Sequence, residues 1–187
     1  MSEKEFWNLI SNMHIEEEPY EWIINHLSTK SDAEIVGFEI KFETALMQAY
    51  NSNLLGAAWI IMDGCTEDSF TNFIAWLIGQ GEKVYKETVK NPDYLAEYIL
   101  PVYEEEGLVP ELDEMLDLAL QAYSVKKKGD NDWDDQIWND FNSLVERNGF
   151  KYLQPKMDID WNEKEELANK FPKLWKRFAK KPLTYPE

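Results

Sequence analysis

LLGAAWIIMDGCTEDSFTNFIAWLIGQG, residues Leu54 to Gly81, opens on an almost wholly apolar run from Leu54 to Met62. That run is too short for a membrane span, which needs roughly 20 residues. Apolar on every side rather than along one stripe, it reads as a helix enclosed by the rest of the fold. Asp63-Gly64 can stop it, with Gly64 free to adopt a left-handed conformation. Thr66 can cap a following helix, whose positive first turn suits Glu67 and Asp68. Phe70, Phe73, Ile74, Leu77 and Ile78 then recur at intervals of three and four, the spacing of a helix face. The stretch is a buried helix, a tight corner and a second core helix.

Helical patterns continue on both sides of it. Upstream, Ser2 to Met13 and Glu16 to Ser28 give two short helices. Ser31-x-x-Glu34 is a capping box, and it starts a helix with Ile35, Phe38, Phe42, Ala45 and Ala49 on one stripe. Downstream, the face of Phe70 to Ile78 stays in phase through Gly81, Val84, Tyr85 and Val89. Either one helix runs from Thr66 to Lys90 or Gly81 divides it. A glycine on the inner face points to close backbone packing. Asn91-Pro92 starts a short helix through Ile99, and Pro101 to Pro110 reads as a loop. Pro110 to Lys128 forms one strong helix with three lysines in its last turn and Gly129 after it. Asp132 to Asn148 follows, then a segment from Phe150 to Trp161 with a short strand-like alternation. Asn162 to Phe171 and Lys173 to Lys180 are the last helical pieces. The expected class is all-α: a single-domain irregular bundle of about eight or nine helices around the central buried pair.

The 187 residues include 44% hydrophobic and 14% aromatic residues, eight of them Trp, so the chain can bury a sizeable core despite its charge. Its formal net charge is -17, from 36 acidic and 19 basic residues. Such a surface repels phosphate backbones, and no nucleic-acid partner is expected. From Lys164 onward, however, seven basic residues face three acidic ones, a net of +4. That tail can lie on the acidic body of its own chain or reach a separate acidic partner. Cys65 is the only cysteine, which excludes an intrachain disulfide and a cysteine-cluster metal site. No signal pattern and no membrane-length stretch occurs, so the expected compartment is the cytoplasm.

Several motifs stand in a recognisable order. They are Phe6-Trp7, Phe38 with Phe42, and Ala49-Tyr50 leading into LLGAAWIIMDGCTEDSF. WLIGQG, Asn91-Pro92-Asp93-Tyr94-Leu95 and the helix ending Ala119 to Tyr123 follow. In these the chain resembles a bacterial family, domain of unknown function 4240 (DUF4240), over roughly residues 1–125. Ile74 departs from it, standing where the resemblance leads one to expect a basic residue. The remainder, 126–187, reads as a helical extension packed on the first part within one domain, 1–187. The resemblance implies no activity.

The best candidate for chemistry is the corner Asp63, Cys65, Thr66, Glu67 and Asp68, with Trp76 and Gln80 downstream. Exposed amides at a helix N-terminus bind anions and lower the pKa of a cysteine placed there. Glu67 and Asp68 already supply negative charge to those amides, and capping and packing account for the same residues. His14 and His26, the only histidines, lack the spacing of a metal pair. No metal and no cofactor is expected. Nucleophile elbows, phosphate loops and calcium-loop spacing are all missing.

The leading functional expectation is a non-catalytic interaction or regulatory module with an acidic surface, an immunity-like protein being one form of it, that docks on a basic protein. The alternative is a small-molecule or anion sensor at Asp63–Asp68, with a pocket lined by Trp59 or Trp76. An enzyme using Cys65 ranks last.

Overall fold

The computed structural model describes residues 1–13, 15–152 and 156–185. Its α-helices, in chain order, are α1 (Glu3–Met13), α2 (Pro19–Ser28), α3 (Asp32–Ala49), α4 (Ser52–Met62), α5 (Glu67–Gly79) and α6 (Glu82–Lys90). They continue with α7 (Leu95–Tyr98), α8 (Val102–Glu106), α9 (Leu118–Lys128), α10 (Asp135–Arg147), α11 (Leu167–Lys170) and α12 (Pro172–Phe178). The all-α expectation holds: among the described residues there is no strand. The expected eight or nine helices become twelve among the described residues, with three 3-10 turns besides. Short pieces account for the excess, because prolines start new turns where longer helices would otherwise run. Pro92 opens the 3-10 turn before α7, Pro101 precedes α8 and Pro172 opens α12.

These helices form two compact units, and the chain enters each of them twice. The first comprises Met1–Ala45 and Asp113–Gln154; the second comprises Leu46–Leu112 and Pro155–Glu187. The boundary between the first pair of segments falls inside α3.

In the first unit α2 lies along α9, α1 packs on α2, and α10 packs on α9. Phe6, Ile10, Ile23, Leu27, Phe38, Phe42 and Phe141 are all but inaccessible to solvent. The Phe6 ring lies 5.2 Å from that of Phe38, and Tyr123 lies 5.2 Å from Phe141. The capping box forms as expected: the Ser31 amide donates to Glu34 at 3.0 Å, and the Glu34 amide donates to the Ser31 hydroxyl at 3.3 Å. The same box recurs unforeseen at Ser2 and Glu5, starting α1. In the last turn of α9, Lys127 pairs with Asp32 at 2.7 Å, and Gly129 closes the helix left-handed at φ 91°.

The second unit is built around α4 and α5. From Leu54 to Met62 every residue of α4 but Trp59 is buried, and Trp59 sets its ring 5.6 Å from that of Trp161. Phe70 and the whole run Phe73 to Gly79 are buried in α5. Close packing falls at Gly56, where an added Cβ would come within 2.8 Å of Leu167 and 3.2 Å of Phe171. Gly81 does not carry the close packing expected of it. A Cβ there would meet nothing within 4 Å, and the residue divides α5 from α6 because it sits at φ 90°. The corner after α4 uses two positive φ angles, Asp63 at 55° and Gly64 at 130°.

Three other expectations are corrected. The loop Pro101–Pro110 contains α8. The long helix Pro110–Lys128 starts only at Leu118, after a 3-10 turn at Asp113–Met115, because the Leu112 amide donates outward to the Asn72 carbonyl. The alternation from Phe150 to Trp161 forms no strand among its described residues, and residues 153–155 lie outside them.

Candidate functional site

At the corner between α4 and α5, Asp63 ends α4 with its amide bonded to the Trp59 carbonyl, and its carboxylate pairs with Lys164. The Thr66 hydroxyl accepts from the Ser69 amide at 3.1 Å, so it caps α5 as its position foretold. Glu67 and Asp68 are exposed in the first turn of α5. Cys65 is half-buried. Burial, and secondarily Glu111, push its thiol up to about 12, the opposite of an activated thiolate.

Trp76 and Gln80 do not join this group. Nine residues of helix separate Trp76 from Glu67, about 13 Å along the axis. The buried Trp76 indole donates to the Tyr103 hydroxyl at 2.9 Å. Gln80 donates to the Trp76 carbonyl at 3.1 Å and accepts from the Tyr98 hydroxyl at 3.0 Å. These groups satisfy one another at the far end of α5.

Beside the corner opens a cleft of about 300 Å³, lined by Tyr50, Leu55, Cys65, Thr66, Glu67, Phe70, Met157 and Ile159. Neither Trp59 nor Trp76 lines it. Among its described lining residues Glu67 is the only charged side chain, so the cleft is poorly suited to an anion. Among the described residues no group of three histidines, cysteines or carboxylates is placed to hold a metal. His26 stacks on Trp22 at 5.2 Å, and burial, followed by Lys30, lowers the pKa of its imidazole. His14 lies outside the described residues. No helix among them is long and apolar enough to cross a membrane.

Sequence reasoning passed over two features of the first unit. One is a set of acids turned inward. Glu39 is buried, and its carboxyl is pushed up to about 8 by burial and then by the neighbouring charge of Glu43. Burial raises Glu43 as well. Glu39 lies on the apolar stripe of α3, four residues after Ile35 and three before Phe42. A carboxyl at that position was the visible clue.

The other is a second cleft, of about 220 Å³, between α9 and the turn that leads into α10. Asp117, Gln121 and Ser124 recur at helical spacing and form the α9 side. Asn131 to Asp134 and Ile137 form the other side, and the Asn131 amide clips the turn to Gln121 at 3.1 Å. Asp134 caps α10, accepting from the amides of Gln136 and Ile137. Trp133 is 67% exposed, and its ring lies 6.4 Å from that of Trp138, which is 43% exposed. Ser124 is only 4% exposed, yet its hydroxyl has no hydrogen-bond partner among the described residues. The clue in the sequence was a tryptophan set among aspartates, Asp130-Asn131-Asp132-Trp133-Asp134-Asp135.

Compared with known proteins, the chain matches one family model, described as a protein of unknown function (DUF4240), over residues 1–125. No curated protein and no solved structure matches it. The matched span holds α1 to α8 and most of α9. The residues beyond it add α10 to the first unit and α11 and α12 to the second.

Proposed function

From the premise that the chain belongs to the DUF4240 family, we propose that it is a non-catalytic interaction module that docks a basic protein on its acidic surface. What supports this reading is how the cations are used. Lys164 pairs with Asp63, Lys170 with Asp160, Lys173 with Glu97 and Arg177 with Glu104, so four of the seven cations of the basic tail are paired within its own unit. Lys126 and Lys127 turn to Asp32, and Lys128 to Asp130. With 36 acidic residues against 19 basic ones, these internal pairs leave a large surplus of carboxylates facing water. A surplus of one sign speeds encounter with an oppositely charged partner and disfavours the wrong ones. An immunity-like inhibitor of a basic enzyme is one form this would take. The test is affinity capture from the native cell, then a binding measurement on the purified partner across a range of salt. A basic partner whose affinity drops at least about tenfold from low to physiological salt supports the reading. A neutral or acidic partner, or binding indifferent to salt, overturns it.

The cleft beside Cys65, Thr66 and Glu67 favours a second reading, a small-molecule sensor. Its apolar wall and single carboxylate suit a neutral or cationic molecule with an apolar body rather than an anion. Ligand-dependent quenching or thermal shift, lost in Phe70→Ala and retained in Trp76→Phe, tests that reading. No ligand-dependent shift, or one that Phe70→Ala leaves intact, overturns it.

A further inference from the structure

The cleft between α9 and the turn into α10 has the chemistry of a receptor for one side chain. At about 220 Å³ it lies below the roughly 300 Å³ at which pockets for whole small molecules begin. Its carboxylates, those of Asp117 and Asp132, are exposed to water. The Ser124 hydroxyl is buried without a partner among the described residues, a state that costs free energy unless something else fills it. Asp117 opens α9 without capping it through its side chain. Neither Asp117 nor Asp132 has an ion pair for its carboxylate among the described residues. Lys128 is committed to Asp130 at 2.9 Å and to the Asp132 carbonyl at 2.7 Å, and it feels the charges of Asp132 and Asp134 less strongly than that of Asp130. The walls therefore offer carboxylates, a hydroxyl and an amide oxygen, with an exposed indole face at the mouth.

A guanidinium answers every one of these features. It carries five donors in a plane, it accepts nothing, and it stacks on indole. An ammonium supplies charge without the stacking plane, and a bare metal ion would leave the tryptophans unused. We infer that this cleft takes one arginine side chain of a basic partner protein, its guanidinium held between Asp117 and Asp132, over Trp133 and within reach of Ser124. This inference rests on the proposed docking of a basic protein and assigns that docking its anchor. Trp138, beside Trp133, extends the aromatic surface that would cover the arginine from water.

The experiment uses the full chain and nona-arginine as probe, with nona-lysine for comparison, at about physiological salt so that diffuse attraction is screened. The Trp133 and Trp138 indole N–H resonances and the Ser124 amide are followed through the titration. The expected result is that these resonances move first and that nona-arginine binds more tightly than nona-lysine. Ser124→Ala, Asp117→Asn and Trp133→Ala each weaken nona-arginine about tenfold, while Glu16→Gln with Glu17→Gln changes it by less than about twofold. Trp133 is exposed and its replacement leaves the fold intact, so that variant stays readable if another does not fold. Tight binding that ignores the cleft substitutions and falls with any removed carboxylate overturns the anchor and leaves acidic docking standing. No binding of either peptide overturns both. Equal affinity for the two peptides, or displacement of nona-arginine from these resonances by calcium chloride, removes the arginine assignment.

Discussion

The Tyr152 hydroxyl donates to the Glu39 carboxyl at 2.9 Å, joining the segment after α10 to the middle of α3 across 113 residues of chain. Among the described residues no cation pairs with this carboxyl. Instead Glu43 on α3 and Asp117 at the start of α9 add their negative charge to it. A buried acid in such company stays protonated near neutrality, and the tyrosine bond is the one influence that favours its ionised form. Tyr152, for its part, is held in the phenol form by burial and by the same carboxyls.

Stability should therefore fall as pH rises through the range set by Glu39. Its ordinary value is 4.5 and its folded value about 8. Below 4.5 both states are protonated and the group exacts nothing. Between 4.5 and 8 the unfolded chain has released the proton while the native state keeps it, so stability declines, and above 8 the loss is constant. The loss amounts to a few kcal/mol, by linkage from the size of the shift. Glu39→Gln removes it, giving a variant more stable than the parent at about pH 8.5 and similar to it at about pH 4.5. Urea midpoints at several pH values decide this, and a parent whose stability rises steadily from pH 5 to 8.5 refutes it. The capping-box acid Glu34 acts in the opposite direction: its bonds from Ser31 lower its pKa, so its share is lost as pH falls.

Loss of the Asp93 side chain should weaken the second unit. It is 7% exposed, and its carboxylate accepts from the Leu174 amide at 2.9 Å and the Lys173 amide at 3.1 Å. It thus caps α12 from 80 residues away, and Pro172 at the helix start has no amide to offer. Asp93→Ala leaves two amides unmet beside a positive helix end, and we expect a cost of about 2–3 kcal/mol, against about 1 for Asp93→Asn. Chemical denaturation measures both. A cost under about 0.5 kcal/mol for the alanine variant would sink the capping role.

Cys65 should behave as a packing residue toward thiol reagents. Burial moves its thiol from an ordinary 9.0 to about 12, so near neutral pH its thiolate is scarcer by roughly a thousandfold. Its reaction with a disulfide reagent at about pH 8 should run at least about a hundredfold slower than that of glutathione. A rate equal to or above that of glutathione would restore Cys65 as a nucleophile.

What the sequence made legible was local, and what it concealed was distant. Leu54–Met62 has one environment wherever it packs, so its unbroken apolar run was enough to place α4 inside. Ser31 and Glu34 close their box within one turn, and Gly129 follows three lysines as a helix end does. Sequence proximity alone groups Trp76 and Gln80 with the corner, although α5 carries them about two and a half and three and a half turns away. The partners that occupy them, Tyr98 and Tyr103, come from α7 and α8. Gly56 and Gly81 show the same division. Gly81 is needed for its backbone angle, while Gly56 is needed because Leu167 and Phe171, more than a hundred residues later, lie against it. The roles of Asp93 and Glu39 could not be read locally, because their partners, Leu174 and Tyr152, arrive from far along the chain.

Ser124 and Thr88 give the sharpest contrast between a site and an imperfection. Both hydroxyls are buried without a partner among the described residues, Ser124 in the first unit and Thr88 in the second. Replacing either by an apolar residue of similar shape removes an unmet polar group, and each should raise stability by about 1 kcal/mol. Ser124→Ala and Thr88→Val should therefore both shift the thermal midpoint upward by a few degrees. Their effects on binding should diverge. Ser124 lines the cleft with Asp117 and Trp133, so its replacement should stabilise the protein and weaken nona-arginine together. Thr88 lines none of the described clefts, and its replacement should leave the affinity unchanged. A Ser124→Ala protein that is less stable than the parent would mean that its hydroxyl already has a partner, and the cleft would lose its one buried acceptor.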